Sequence, residues 1–203
     1  MAELQSSSGS RRADQLEATR RALIAAGRQH FGAVGYAAAE VGAIAAQARV
    51  TTGALYHHFG NKLGLFTAVA ESLEQELVAV ALDVPGETPW ARLRAGLPAL
   101  IDHCAAEDMR RILLVEAPQV IGPAAWREIE LRYAYGAMRA VLGELMAAGE
   151  LETAPVEFLA RALLVLLGEA AAEIAVAETA DARRQVYATI DRMLDALETR
   201  RRD

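Results

Sequence analysis

Between Ala37 and Phe66 the chain reads AAAEVGAIAAQARVTTGALYHHFGNKLGLF, a segment compatible with very few folds. Val41, Ile44, Ala45 and Ala48 recur at helical spacing until Val50 interrupts them, so a first short helix ends near Gln47. Thr51 or Thr52 then offers a side-chain oxygen that can cap a second helix, whose inner face carries Leu55 and Phe59 four residues apart. A third helix starts at once near Lys62. The outer face of the second helix is left with Thr52, Gly53, Ala54, Tyr56, His57 and His58. Small and hydroxyl-bearing residues at a helix N-terminus can press into the major groove of DNA, while Tyr and His donate hydrogen bonds to phosphates at its edges.

The rest of the chain is patterned as helix too. Leu16, Leu23, Ile24, Phe31 and Val34 describe one face of a helix from Ala13 to Val34, ended by Gly35. Ahead of it, residues 1–12 form a Ser/Gly tail ending in Arg11 and Arg12, expected to be a disordered arm. Beyond Lys62, Phe66, Val69, Ala70, Leu73, Leu77 and Val80 make one stripe of a long helix that stops at Pro85-Gly86. Further helices are expected at about 89–105, 107–117, 123–149, 155–179 and 181–200, separated by Pro118, Gly122-Pro123, Gly149 and Pro155. No strand pattern competes, so the fold class is all-α with about nine helices.

Charge sharpens the functional meaning of the N-terminal segment. The net charge is −6, which by itself disfavours a phosphate-rich partner. Residues 1–62 nevertheless hold seven Lys and Arg against four Asp and Glu, a balance of +3, whereas residues 63–203 hold fourteen against twenty-three, a balance of −9. The single lysine of the chain, Lys62, stands at the junction.

Other function classes lose ground on composition. No stretch free of Asp, Glu, Lys and Arg exceeds the twelve residues from Val50 to Asn61, whereas a spanning helix needs about 20. No membrane embedding is expected. The first ten residues lack a basic start and an apolar run, so a cytoplasmic location is expected. Cys104 is the sole cysteine, which leaves no disulfide or structural zinc site, and no cofactor or metal is anticipated. The adjacent pairs His103-Cys104 and His57-His58 diverge by about 100° on a helix, so neither makes a nucleophile-base couple. Enzymatic activity is not expected.

The order of a short helix, A-x-V-[ST], T-G-A-L-Y-H-H-F-x-N-K and a long amphipathic helix resembles the DNA-binding domain of the TetR family of transcriptional regulators. The resemblance covers roughly Leu16 to Val69. It implies a helix-turn-helix domain over residues 13–62 and a helical ligand-binding and dimerisation domain over residues 63–203. It implies that Thr51, Thr52, Gly53, Ala54 and Tyr56 face the groove or its walls, and that His57 and Lys62 hold phosphates. It also implies a repressor that binds a palindromic double-stranded DNA operator as a homodimer and is released by a small-molecule effector. Two positions depart from the family pattern: Arg49 stands where the turn usually has Gly, and Ala38 and Ala39 stand where a Thr usually caps the first short helix. A left-handed backbone at Arg49 costs about 1 kcal/mol relative to Gly.

For the pocket, Leu97, Ile101, Cys104, Ile112, Val115, Trp126, Ile129, Tyr133, Phe158 and Leu166 are the candidate lining, with His103, Glu116 and Glu169 as polar neighbours. An apolar cavity with few polar groups suits a small, mostly hydrophobic ligand. For the dimer, the last two helices carry stripes through Ala162, Val165, Ala172, Val186, Ile190, Met193, Leu194 and Leu197. These either build a four-helix bundle between two chains or complete the chain's own core. Two alternatives stay open for the signal: docking of a protein partner, and redox sensing at Cys104.

Overall fold

The computed structural model describes residues 2–198, with side chains from residue 13 onward. Helix α1 (Ala2–Ala38) is kinked at Gly35, whose φ of 80° a side chain would strain. It begins at Ala2, so the arm expected to be irregular over residues 1–12 is helical from its second residue. Ala2, Glu3, Leu4 and Gln5 all tolerate helix, and no proline stops them. The contacts of that arm's side chains lie outside the described residues.

Helices α2 (Val41–Gln47) and α3 (Thr52–Phe59) cross below α1, and α4 (Lys62–Leu82) closes the group. Leu23, Phe31, Ile44, Leu55, Leu65 and Phe66 are fully buried between them. The Phe31, Tyr36 and Phe66 rings meet with centroids 5.0 to 6.0 Å apart, Phe66 edge-on to both others.

Downstream come α5 (Pro89–Ala105), α6 (Glu107–Met109), a π-helical stretch (Arg110–Glu116), α7 (Ala117–Val120), α8 (Pro123–Arg132), α9 (Ala134–Ala147), α10 (Val156–Val176) and α11 (Ala180–Leu197). Thr88 and Thr179 cap α5 and α11 through backbone N–H groups at 3.1 Å. Helix α4 runs on past the N-terminal group and packs against α5 and α9, with α10 lying across α5. Leu73, Leu77, Leu97, Ile101, Leu142 and Leu167 belong to this second part of a continuous core. The crossing of α4 over α5 is close because Gly96 faces the Ala81 carbonyl, which a Cβ would approach to 2.8 Å.

Two helices differ from expectation. The 107–117 segment is wound as a π-helix over most of its length, and the single helix expected over 123–149 breaks at Tyr133 (φ −122°, ψ −111°). Gly136 permits the break, since a Cβ there would meet the Leu131 carbonyl oxygen at 2.2 Å. Its cause comes from α4: the buried Glu74 carboxylate accepts the Ala134 N–H at 3.2 Å and so caps a new helix start. Gln75 Nε2 donates to the Tyr133 hydroxyl at 2.9 Å, and Arg132 pairs with Glu71 at 2.6 Å, so three residues of α4 hold the same joint. Among the described residues there is no strand beyond one bridge between Leu151 and Glu198, and no helix is long and apolar enough to cross a membrane.

Candidate nucleic-acid interface and its coupling to the helical domain

The turn between α2 and α3 is set by backbone hydrogen bonds. Val50 N–H reaches the Ala45 carbonyl and Arg49 N–H the Ala46 carbonyl, both at 3.0 Å, the paired closure of a helix that ends in a left-handed residue. That residue is Arg49, with φ 57°, and it is the one non-glycine at positive φ among the described residues. The turn therefore takes a left-handed residue with an arginine where the resemblance led to an expectation of glycine, at a steric cost. Replacing Arg49 with Gly is expected to stabilise the fold by up to about 1 kcal/mol, or roughly 2 to 4 °C in melting temperature. Thermal unfolding of R49G against the parent checks this, and an unchanged or lower midpoint contradicts it. At the other end, the cap position of α2 is held by Glu40, whose side chain makes no cap hydrogen bond, and Ala38 and Ala39 lie ahead of that position.

Thr51, not Thr52, caps α3: its hydroxyl accepts the Ala54 N–H at 3.1 Å. Thr51 thereby has a structural duty, and Thr52 and Gly53 are left exposed on the first turn. Leu55 is fully buried, while Tyr56 is 49% exposed and His57 is open to solvent beside it. Lys62 has an attachment the sequence did not reveal. Its ammonium donates to the Ala37 carbonyl at 3.1 Å and lies 4.8 Å from the Tyr36 ring centroid, tying the start of α4 to the end of α1. Any phosphate contact uses its remaining protons. Gly64, passed over in the sequence, is a further positional requirement: a Cβ there would meet the Phe59 carbonyl at 2.0 Å, so α3 and α4 approach at this closeness only with glycine.

A polar clamp joins this N-terminal group to the rest. Arg28 of α1 pairs with Asp108 at 2.7 Å and Glu76 at 2.6 Å, and His103 Nε2 lies 2.6 Å from the other Glu76 oxygen. Arg111 donates to the Ala33 carbonyl at 2.5 Å, and Glu116 accepts the Tyr36 N–H at 2.8 Å. Partial burial opposes the charge of Asp108, yet the Arg28 guanidinium holds its carboxyl below the usual carboxylate range. His103 and Glu116, expected beside a pocket, instead belong to this clamp. Its partners lie 27 to 80 residues apart in sequence, so no local pattern announces them.

A cavity of about 90 Å³ opens between α4, α5, α9 and α10. Of the expected lining, Leu97 faces it. Ile101, Cys104, Ile112 and Ile129 are instead buried in the surrounding core, Trp126 and Val115 line a separate groove between the π-helical stretch, α8 and α10 with Glu169 beside them, Tyr133 is turned to Gln75, and Leu166 is half-buried toward α11. Val115 and Phe158, 47% and 73% exposed, point away from the cavity. Helical spacing does not tell a residue that lines a cavity from one packed against other side chains, so these positions separate only in the folded chain. Cys104 is buried, and burial, with the Glu74 charge adding to it, pushes its thiol up to about 12, which leaves little thiolate and weighs against redox sensing.

The dimer candidates divide in a similar way. Ile190 and Leu194 are buried against the chain's own core, Val186 and Leu197 pack at its edge, and Ala162, Val165 and Met193 are exposed with Ala172 half-buried. Ala162 and Val165 join Phe158 and Val176 in a stripe along α10, while Met193 lies on α11.

A helix-turn-helix standing on a helical domain with its own apolar cavity defines a DNA-binding regulator that senses a ligand. A sequence model for the bacterial regulatory proteins of the tetR family matches residues 23–69, and one for the tetracyclin repressor-like C-terminal domain matches residues 90–197. A TetR-family transcriptional regulator from Pectobacterium atrosepticum is 31% identical, with 92% of this chain and 97% of that one superposing at a TM-score of 0.67. The TetC protein of transposon Tn10 from Escherichia coli is 27% identical over 143 residues, 68% of this chain and 71% of that protein. RolR, solved in complex with resorcinol, shares the fold at 19% identity and a TM-score of 0.62, covering 91% of this chain and 90% of that one. The chain belongs to the TetR family of transcriptional regulators. It is a non-enzymatic transcription factor with an N-terminal DNA-binding domain and a C-terminal ligand-binding domain.

Proposed function

We propose that this regulator is a repressor acting in the cytoplasm, which binds a palindromic operator as a homodimer and is released by a small, mostly apolar effector. The observation that carries the reading is the double duty of α4. Its first half packs under α1 and α3, while Leu77, Val78, Ala81 and Leu82 from its second half line the cavity. A ligand that fits the cavity better in one setting of α4 biases the position of α3, and a coupling of about 1 to 3 kcal/mol changes operator affinity roughly five- to 150-fold. The joint at Tyr133 supports this, because Ala134, Ala137 and Met138 of α9 line the same cavity and Ala134 is held by Glu74 of α4. An apolar cavity is also what distinguishes a ligand sensor from a docking module for a protein.

In this reading residues 13–62 dock on DNA and residues 63–203 sense and dimerise. Thr52, Gly53, Ala54 and Tyr56 meet the groove, His57 and Lys62 meet phosphates, and two copies of α3 stand about 35 Å apart to reach successive major grooves. Footprinting on the promoter nearest the protein's own gene, repeated across salt concentrations, tests it. Palindromic protection with a steep salt dependence is expected; protection without symmetry, or binding indifferent to salt, contradicts it. Lys62→Ala is expected to weaken all sites nearly uniformly and to lower the salt slope by about one, whereas Thr52→Ala changes the preference among sites. A K62A protein with an unchanged slope removes Lys62 from the phosphate contacts.

A further inference from the structure

The cavity has a chemical polarity that narrows the effector. Its walls are aliphatic, among them Leu77, Leu93, Leu97, Met138 and Leu164, and no aromatic or hydrogen-bonding side chain enters its interior. Arg92, on the first turns of α5, is the single charged residue on the lining. The guanidinium of Arg92 is nearly unused. It holds the Gly86 carbonyl at 3.3 Å, and among the described residues no carboxylate lies within ion-pair distance of it. Its neighbour Arg94, by contrast, is paired with both Asp195 and Glu198. An arginine with free donors beside an apolar slot is suited to a planar oxyanion, which it grips with two parallel N–H bonds. The small aliphatic interior, with no polar group inside it, suits a short alkyl chain.

Building on the assignment of this cavity as the effector site, we infer that the effector is a linear aliphatic carboxylate. Its chain lies between α4, α5, α9 and α10, and its carboxylate is held by Arg92 at the mouth. Affinity then rises about fourfold for each added methylene until the slot is full. Replacing Arg92 removes the head-group contact but leaves the walls intact, since its side chain is exposed and has no bond into the core.

Calorimetric titration of the full-length protein, without DNA, with pentanoate, pentanol and pentylammonium, whose alkyl tails match the volume of the cavity, tests the inference. Pentanoate is expected to bind at least tenfold more tightly than pentanol, with pentylammonium the weakest. Arg92→Ala should reduce pentanoate binding at least tenfold and leave pentanol binding unchanged, and Ala137→Phe, which fills the slot, should abolish both. Circular dichroism melts confirm that each variant is folded. Equal affinity for pentanol and pentanoate, or pentanoate binding indifferent to R92A, overturns the carboxylate assignment, and failure of all three probes on folded protein overturns the alkyl slot. Operator release is measured separately. Pentanoate that binds through Arg92 but leaves operator affinity unchanged upholds this inference and sinks the release mechanism instead.

Discussion

A Val165→Arg protein is expected to sediment as a monomer and to lose operator affinity by about a thousandfold, while its helix content and melting temperature stay close to those of the parent. Val165 is 61% exposed at the centre of the α10 stripe, between Ala162 and Ala172, so an arginine there costs the isolated chain little. In a symmetric dimer the same face meets itself, and two arginines are then brought together in an apolar seam. The loss on DNA follows because a monomer keeps one half-site, which returns binding toward the non-specific range. Leu194→Arg cannot serve the same purpose. Leu194 is 1% exposed within the chain's own core, and a charge there unfolds the helical domain before any interface is tested. Sedimentation and operator titration of V165R decide the matter, and a variant that remains dimeric at micromolar concentration places the interface on another face.

Glu74→Gln is expected to stabilise the protein by up to about 3 kcal/mol above neutral pH, a rise of roughly 6 to 10 °C in melting temperature, and to flatten its stability profile between pH 4.5 and 7. Burial, with the Glu130 charge adding to it and the Ala134 N–H opposing it, pushes the Glu74 carboxyl up from its ordinary 4.5 to about 7. The folded state therefore holds this proton more tightly than the unfolded state. The stabilisation from that proton is fully present below pH 4.5 and is lost as pH rises through about 7. Glutamine keeps an oxygen for Ala134, places amide donors where a second negative charge faced Glu130, and has no charge to lose. Melting curves of E74Q and parent from pH 4 to 9 should converge in acid and separate in base. Parallel curves at constant offset would show that Glu74 does not titrate in this range.

The DNA-reading end was legible because its determinants are local. A threonine cap at Thr51 or Thr52, the buried Leu55 and the exposed Thr52, Gly53, Tyr56 and His57 follow from spacing within one or two helical turns, and the folded backbone chose Thr51. The helical domain was legible only as helices. Leu194 and Val165 look alike in a stripe, and the packing of α11 against the core buries one and leaves the other for solvent. Likewise Leu97 and Ile101 lie one turn apart on α5, yet only Leu97 reaches the cavity.

By itself, then, the sequence determined an all-helical chain with a helix-turn-helix at its positive end and a long helix leading out of it, since periodicity, capping residues and charge balance act over short distances. The tertiary structure decided what those helices enclose. The break at Tyr133 exists because Glu74, 59 residues earlier, supplies the cap. The clamp of Arg28, Glu76 and Asp108, and the slot guarded by Arg92, exist because helices remote in sequence cross at angles that side-chain volume sets.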